Sequence, residues 1–102
     1  MTPADARRLA LDLPDVVELD HHGFPSFRTG PHRRIFATLP TEEVLRVMLE
    51  PESIREAVAE WPWCREGWWG TTLSTVEVVL ADADAVAVTE LLDEAHARAT
   101  AR

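Results

Sequence analysis

Residues 43–52, Glu43-Val44-Leu45-Arg46-Val47-Met48-Leu49-Glu50-Pro51-Glu52, can be read in two ways, and the choice decides the fold. Val44, Leu45, Met48 and Leu49 make a helical stripe behind Thr41-Glu42-Glu43, which looks like a helix start. Leu45, Val47 and Leu49 also alternate as a strand would. Periodicity alone leaves both open, and the neighbouring residues decide. Pro51 suits the first position of a helix, and Glu50 and Glu52 suit its positive end. Ile54, Ala57, Val58 and Trp61 then give an apolar face that runs to Pro62. If residues 51–61 are a helix opening on their own proline, residues 43–49 are better as the strand before it.

Upstream of that stretch, Arg34 to Leu39 alternates cleanly, with Ile35, Ala37 and Leu39 facing one way and Phe36 and Thr38 the other. Gly30-Pro31 is a turn, Ser26 to Thr29 is short and extended, and Gly23 and Pro25 mark another turn. Val16 to Asp20 places Val17 and Leu19 on one face. These connections are too short for parallel crossovers, so the strands form an antiparallel meander. The chain opens on a helix. Thr2 is the N-cap, Pro3 and Asp5 fit the first turn, and Ala6, Leu9, Ala10 and Leu13 form the apolar stripe before Pro14 ends it. Downstream, residues 62–71 read as a loop rich in tryptophan and glycine, and Thr72 to Leu80 as the best strand. Asp82 or Asp84 caps a last helix carrying Val88, Leu91, Leu92, Ala95 and Ala99. The expectation is a two-layer α+β domain of order α-β-β-β-β-α-β-α. Helices cover one face of an antiparallel sheet, and the other face is exposed or buried in a partner.

The 102 residues suit one domain, and 46% hydrophobic with 27% charged residues is ordinary globular composition. All 10 basic residues are arginine; with 18 acids the net charge is −8. That balance speaks against binding nucleic acid or anionic membranes by bulk charge. The acidity is uneven. Arg7, Arg8, Arg28, Arg33 and Arg34 balance Asp5, Asp12, Asp15, Glu18 and Asp20 in residues 1–40, so the whole −8 belongs to residues 41–102. An anion-binding surface belongs in the first part. Lone Cys64 cannot make an internal disulfide, the start does not read as a signal peptide, and no apolar run approaches a membrane span. A cytoplasmic location without membrane contact is expected.

Glu18-x-x-His21-x-Gly23-x-Pro25-x-Phe27-Arg28 is followed by Arg34-Ile35-Phe36-Ala37, by Leu45-Arg46-Val47 ahead of Pro51-Glu52, and by Leu73-Ser74-Thr75-Val76. The helix Glu90-Leu91-Leu92-Asp93-Glu94-Ala95 closes the series. In order and spacing these segments resemble the MmcQ/YjbR family, over nearly the whole chain. The resemblance implies a small α+β fold, likened to the bacterial frataxin CyaY and to type III secretion chaperones. Such a fold supports a strand at 43–49. It also marks Glu18, His21, Gly23, Pro25, Phe27 and Phe36 as motif residues. Members of the family are commonly labelled DNA-binding, and most have no assigned activity. Departures from the family pattern are Arg34 for a usual lysine, Leu73 for a tryptophan and His96 for a tyrosine. Cys64-Arg65-Glu66-Gly67-Trp68-Trp69 replaces a basic approach to the last strand, which weakens a DNA surface there.

Arg28, Arg33 and Arg34 with His32 are the nucleic-acid or anion candidates, because guanidinium groups grip phosphate in a bidentate way. A hairpin across Gly30-Pro31 would bring Arg28 and Arg34 close. The competing expectation is that these arginines pair with Glu18, Asp20 and the acidic second half. Trp63, Trp68 and Trp69 are the candidates for contact with a partner or ligand, or else plug the core; Trp61 belongs to the helix stripe. His21, His22, His32 and Cys64 lack a structural zinc spacing, so no metal is expected. His21 or His22 is expected to order its turn through Glu18 or Asp20. No Gly-rich phosphate loop, GxSxG or HExxH occurs, Ser26 and Ser74 sit in ordinary strand contexts, and Cys64 lacks an evident orienting group. The chain therefore reads as a non-enzymatic binding module without cofactor. It acts by protein contact or homodimerisation through the open sheet face and the tryptophan segment, or alternatively by weak binding of DNA or another polyanion.

Overall fold

Thr2 starts the fold with a reciprocal cap. Its hydroxyl accepts from the Asp5 backbone N–H, and the Asp5 carboxylate accepts from the Thr2 N–H. That second bond is the main reason the Asp5 carboxyl is held below its ordinary range. The computed structural model describes residues 1–101. Helix α1 (Pro3–Leu11) is followed by strands β1 (Val17–His21), β2 (Phe24–Thr29), β3 (Arg34–Thr38) and β4 (Val44–Met48). Helix α2 (Pro51–Glu60) follows, then β5 (Cys64–Trp69), β6 (Thr72–Val79), one 3-10 turn (Leu80–Asp82) and helix α3 (Ala85–Thr100). The strands form one antiparallel sheet in the order β1-β2-β3-β4-β6-β5. Helix α3 lies over β2, β3 and β4, α2 lies over β5 and β6, and α1 lies beside α3 and β4. This is the expected α+β architecture, with the strand β4 inside the 43–49 stretch.

Burial explains why the ambiguous segment is extended. Leu45 faces Val78 and Val47 faces Val76 across the β4–β6 ladder, and all four are fully buried under the helices. The residues between them, Arg46 and Glu77, point to the opposite face. A helix over 43–49 would have scattered this set around its axis.

Two expectations are corrected. Among the described residues the sheet has six strands, because most of the expected loop at 62–71 is β5. It pairs with β6 across Gly70-Thr71, and Gly70 at φ +59 supplies the positive φ that a tight hairpin turn needs. Phe36 and Ala37 also do not alternate. The register steps from Phe27↔Ala37 to Arg28↔Ile35, so Phe36 is the extra residue of a bulge. Both Phe36 and Ala37 are fully buried, and the Phe36 ring meets His96 of α3 edge-on at 5.5 Å.

His96 also ties α3 to the chain entering β1. Its Nε2 lies 2.7 Å from the Pro14 carbonyl oxygen, so that nitrogen carries the proton. Thr29 Oγ1, 3.2 Å away, donates to the Asp15 carbonyl. The last helix is capped by Asp84, whose carboxylate accepts from the Ala87 N–H.

Candidate functional site

With all three helices on one face, the other face of the sheet is open. Register places Leu19, Ser26, Thr38, Arg46, Glu77 and Arg65 in one row across all six strands of that face. Arg46 Nε lies 2.9 Å from Glu77 Oε2, and each group is part-buried. Ser26 is fully buried; its hydroxyl donates to the Leu19 carbonyl at 2.8 Å and accepts from Arg28 Nε at 3.0 Å. The polar floor is therefore internally satisfied.

Around it the face is apolar and concave. A concavity of about 630 Å³ has His21, His22 and Phe24 on one wall and Trp68 and Trp69 on the other. Met48, Arg46 and Glu77 also line it. Trp69 is 83% exposed and Trp68 53% exposed. Exposed tryptophan on a concave face marks a contact surface, because burying that ring elsewhere releases its apolar area from water. Sequence reasoning missed Thr38, Arg46, Met48, Thr75 and Glu77, which become neighbours only through strand register.

The motif residues around His21 have structural explanations. His22 and Gly23, at φ 55 and 93, form a two-residue turn of the primed type between His21 and Phe24. The Asp20 carboxylate accepts from the Gly23 N–H. Neither histidine bonds Glu18 or Asp20 as expected: Glu18 pairs with Arg7, and the His21 ring packs edge-on against His22 and Phe24. Phe27 and Phe36 are core, and Pro25 is half-buried on β2.

The arginine cluster divides. Arg28 faces Ile35 and Arg34 faces Thr29, so the two arginines occupy successive register positions and point to opposite faces. Arg28 reaches Ser26 on the open face, whereas Arg34 Nη1 donates to the Ala101 carbonyl beyond α3 at 3.3 Å. Arg33 sits at φ 51 in the connecting turn, next to exposed His32. Among the described residues, none of the three arginines makes an ion pair; Glu18 is taken by Arg7.

Trp63 is not exposed as a contact residue would be. It is 7% exposed and stacks on Trp61 at 5.3 Å with 20° between the rings. Trp61 itself is half-buried against the core. Cys64, next in the chain, is buried too, and burial pushes its thiol from 9.0 up to about 11. A thiol so placed is a poor nucleophile near neutral pH. Among the described residues, no three His, Cys, Asp or Glu side chains gather as metal ligands, and no helix is long and apolar enough to cross a membrane.

Fold and face together define a class: a two-layer α+β domain whose sheet keeps one face uncovered. Comparison with protein-family models, with curated proteins and with solved structures returns no match.

Proposed function

We propose that this chain is an MmcQ/YjbR-like cytoplasmic binding module that performs no chemistry of its own. It acts by protein contact through the open sheet face and the β5–β6 hairpin. The observation that carries this is the pairing of a one-sided helix layer with exposed Trp69 on the rim of the opposite face and exposed Trp68 beside it on the same edge strand. The floor is an ion pair already closed on itself, which leaves shape and apolar area, rather than charge, to recognise a partner.

The rival is duplex DNA held by Arg28, Arg33, Arg34 and His32. One observation favours it: these arginines have no carboxylate partner among the described residues. Their division between two faces weakens it, since phosphate-driven affinity needs several cations along one surface.

A photo-cross-linking residue at Leu19 or Trp69 is expected to give protein adducts in a native extract that excess unmodified protein competes away. The same residue at Arg33 is expected to give none. Salt-dependent retention of duplex DNA, with adducts forming only at Arg33, would overturn the proposal in favour of its rival.

A further inference from the structure

Among the described residues, strand β5 ends the sheet and pairs only with β6. The ladder fixes where its backbone groups point. Trp63 accepts from the Val79 N–H at 2.8 Å, and the register then runs Cys64↔Val78, Arg65↔Glu77, Glu66↔Val76 and Gly67↔Thr75. Bonded and non-bonded pairs alternate in an antiparallel ladder. Trp63, Arg65 and Gly67 therefore bond toward β6, while Cys64, Glu66 and Trp68 present their N–H and C=O groups outward. The outward Cys64 N–H is taken by the Trp61 carbonyl. Those of Glu66 and Trp68 have no partner among the described residues. The bulge in this ladder lies in β6, where Ser74 is skipped, so β5 itself stays regular. It carries no proline, and its two charged residues, Arg65 and Glu66, are of opposite sign.

We infer that this edge is completed by β5 of a second copy, antiparallel about a two-fold axis at Gly67. The inference rests on the protein-contact reading above and names the partner. Outward groups must meet outward groups, which leaves three central registers. Glu66 against Glu66 sets two carboxylates face to face. Trp68 against Trp68 leaves Arg65 beyond the hairpin end, with no aromatic or acidic group opposite. Glu66 against Trp68 of the second copy brings complementary groups together on both faces of the new ladder. Trp68 Nε1 donates to Glu66 Oε1 in its own chain at 3.3 Å, and this single N–H can exchange to the Glu66 carboxylate of the second copy. On the open face, Arg65 comes opposite Trp69 of the second copy, a guanidinium over an indole. Glycine meets glycine at the axis, where nothing stands between the flanking side chains. The two sheets become one of twelve strands, with both pairs of exposed tryptophans at the join.

Sedimentation of the wild-type chain is expected to show a concentration-dependent dimer. Because each copy carries −8, that dimer tightens as salt is raised. Glu66→Pro removes an outward N–H and no β6 bond, so it is expected to weaken the dimer more than tenfold while the circular dichroism spectrum is kept. Trp69→Arg, at a position 83% exposed, sets two cations opposite and has the same effect. Trp69→Glu restores an opposite-charge pair and keeps the dimer. In a Cys64→Ala background, mixing Arg65→Cys and Trp69→Cys chains is expected to give the mixed disulfide over either symmetric one, because the two positions face each other at about 4.5 Å between Cα atoms. A wild-type chain that stays monomeric, a dimer indifferent to Trp69→Arg, or a preference for the symmetric disulfides overturns the pairing. None of these results touches competed cross-links from Leu19, at the far edge of the sheet, so the two proposals fail separately.

Discussion

The two edge hairpins are built alike and finished differently. Each turns in two residues, His22-Gly23 between β1 and β2 and Gly70-Thr71 between β5 and β6, and each uses positive φ to match the strand twist. The β1 edge is tied to its own chain through a side chain: Glu18 pairs with Arg7 of α1. The β5 edge has no such ties beyond Cys64, and its Arg65, Glu66, Trp68 and Trp69 stand exposed. An edge strand is a template for pairing unless its own chain occupies it. The contrast therefore separates an edge whose side chains are tied back to α1 from one whose side chains stand free.

The largest expected effect lies at the inner end of β5. With its thiol raised from 9.0 to about 11, Cys64 should be alkylated at pH 8 about 100-fold more slowly in the folded protein than in urea. Equal rates would show that β5 is not folded down under α2. The same shift gives a stability trend. Below pH 9.0 the contribution is complete, and it is lost as pH rises toward about 11, because the folded state holds the proton more tightly. Urea melts across that range read it.

Next is Gly67, which gives the β5–β6 ladder room for its neighbours. A Cβ there would overlap Thr75 Oγ1 and meet Glu77 Cγ at 3.1 Å. Gly67→Ala should cost about 2 kcal/mol in urea unfolding. Gly23 tests the other hairpin. Nothing lies within 4 Å of a Cβ there, so only the backbone at φ +93 resists substitution, and Gly23→Ala should cost about 1 kcal/mol. Equal costs at the two glycines would erase the distinction between a packed strand position and an open turn. The smallest effect is expected at Arg7→Ala. Both groups of the Arg7–Glu18 pair keep much of their exposure, so the loss should stay below about 1 kcal/mol. Faster amide exchange confined to β1 would show that this pair secures the edge.

The two hairpins also differ in how much of them could be read in advance. His22-Gly23 and Pro25 punctuate extended residues, so a turn there was plain. Cys64 to Trp69 has no apolar alternation, because its strand is an edge with burial only at Cys64 and Gly67. The exposed pair Trp68 and Trp69 was legible as a contact candidate from composition. Trp63 was not separable from them, since its burial comes from stacking on Trp61. The arginine cluster misled for a related reason. Proximity in a hairpin says nothing of face, and the bulge at Phe36 leaves Arg28 and Arg34 one step apart in register.

Local chemistry was enough for the elements whose causes are local. The Thr2–Asp5 box, the Pro51 helix start and the turn at Gly23 each join groups within a few residues, so the sequence alone determined them and with them the α+β class. The uneven charge was equally plain, with the excess acid confined to residues 41–102. Tertiary structure decided everything that depends on which strands lie side by side. The Arg46–Glu77 floor, the His96 tie to Pro14 and Thr29, the identity of β5 as a strand and its unpaired outer edge all join residues far apart in the chain. Strand order and register bring those groups together, and both are set by burying the helix-facing side chains as one core, a condition that no single stretch of sequence carries.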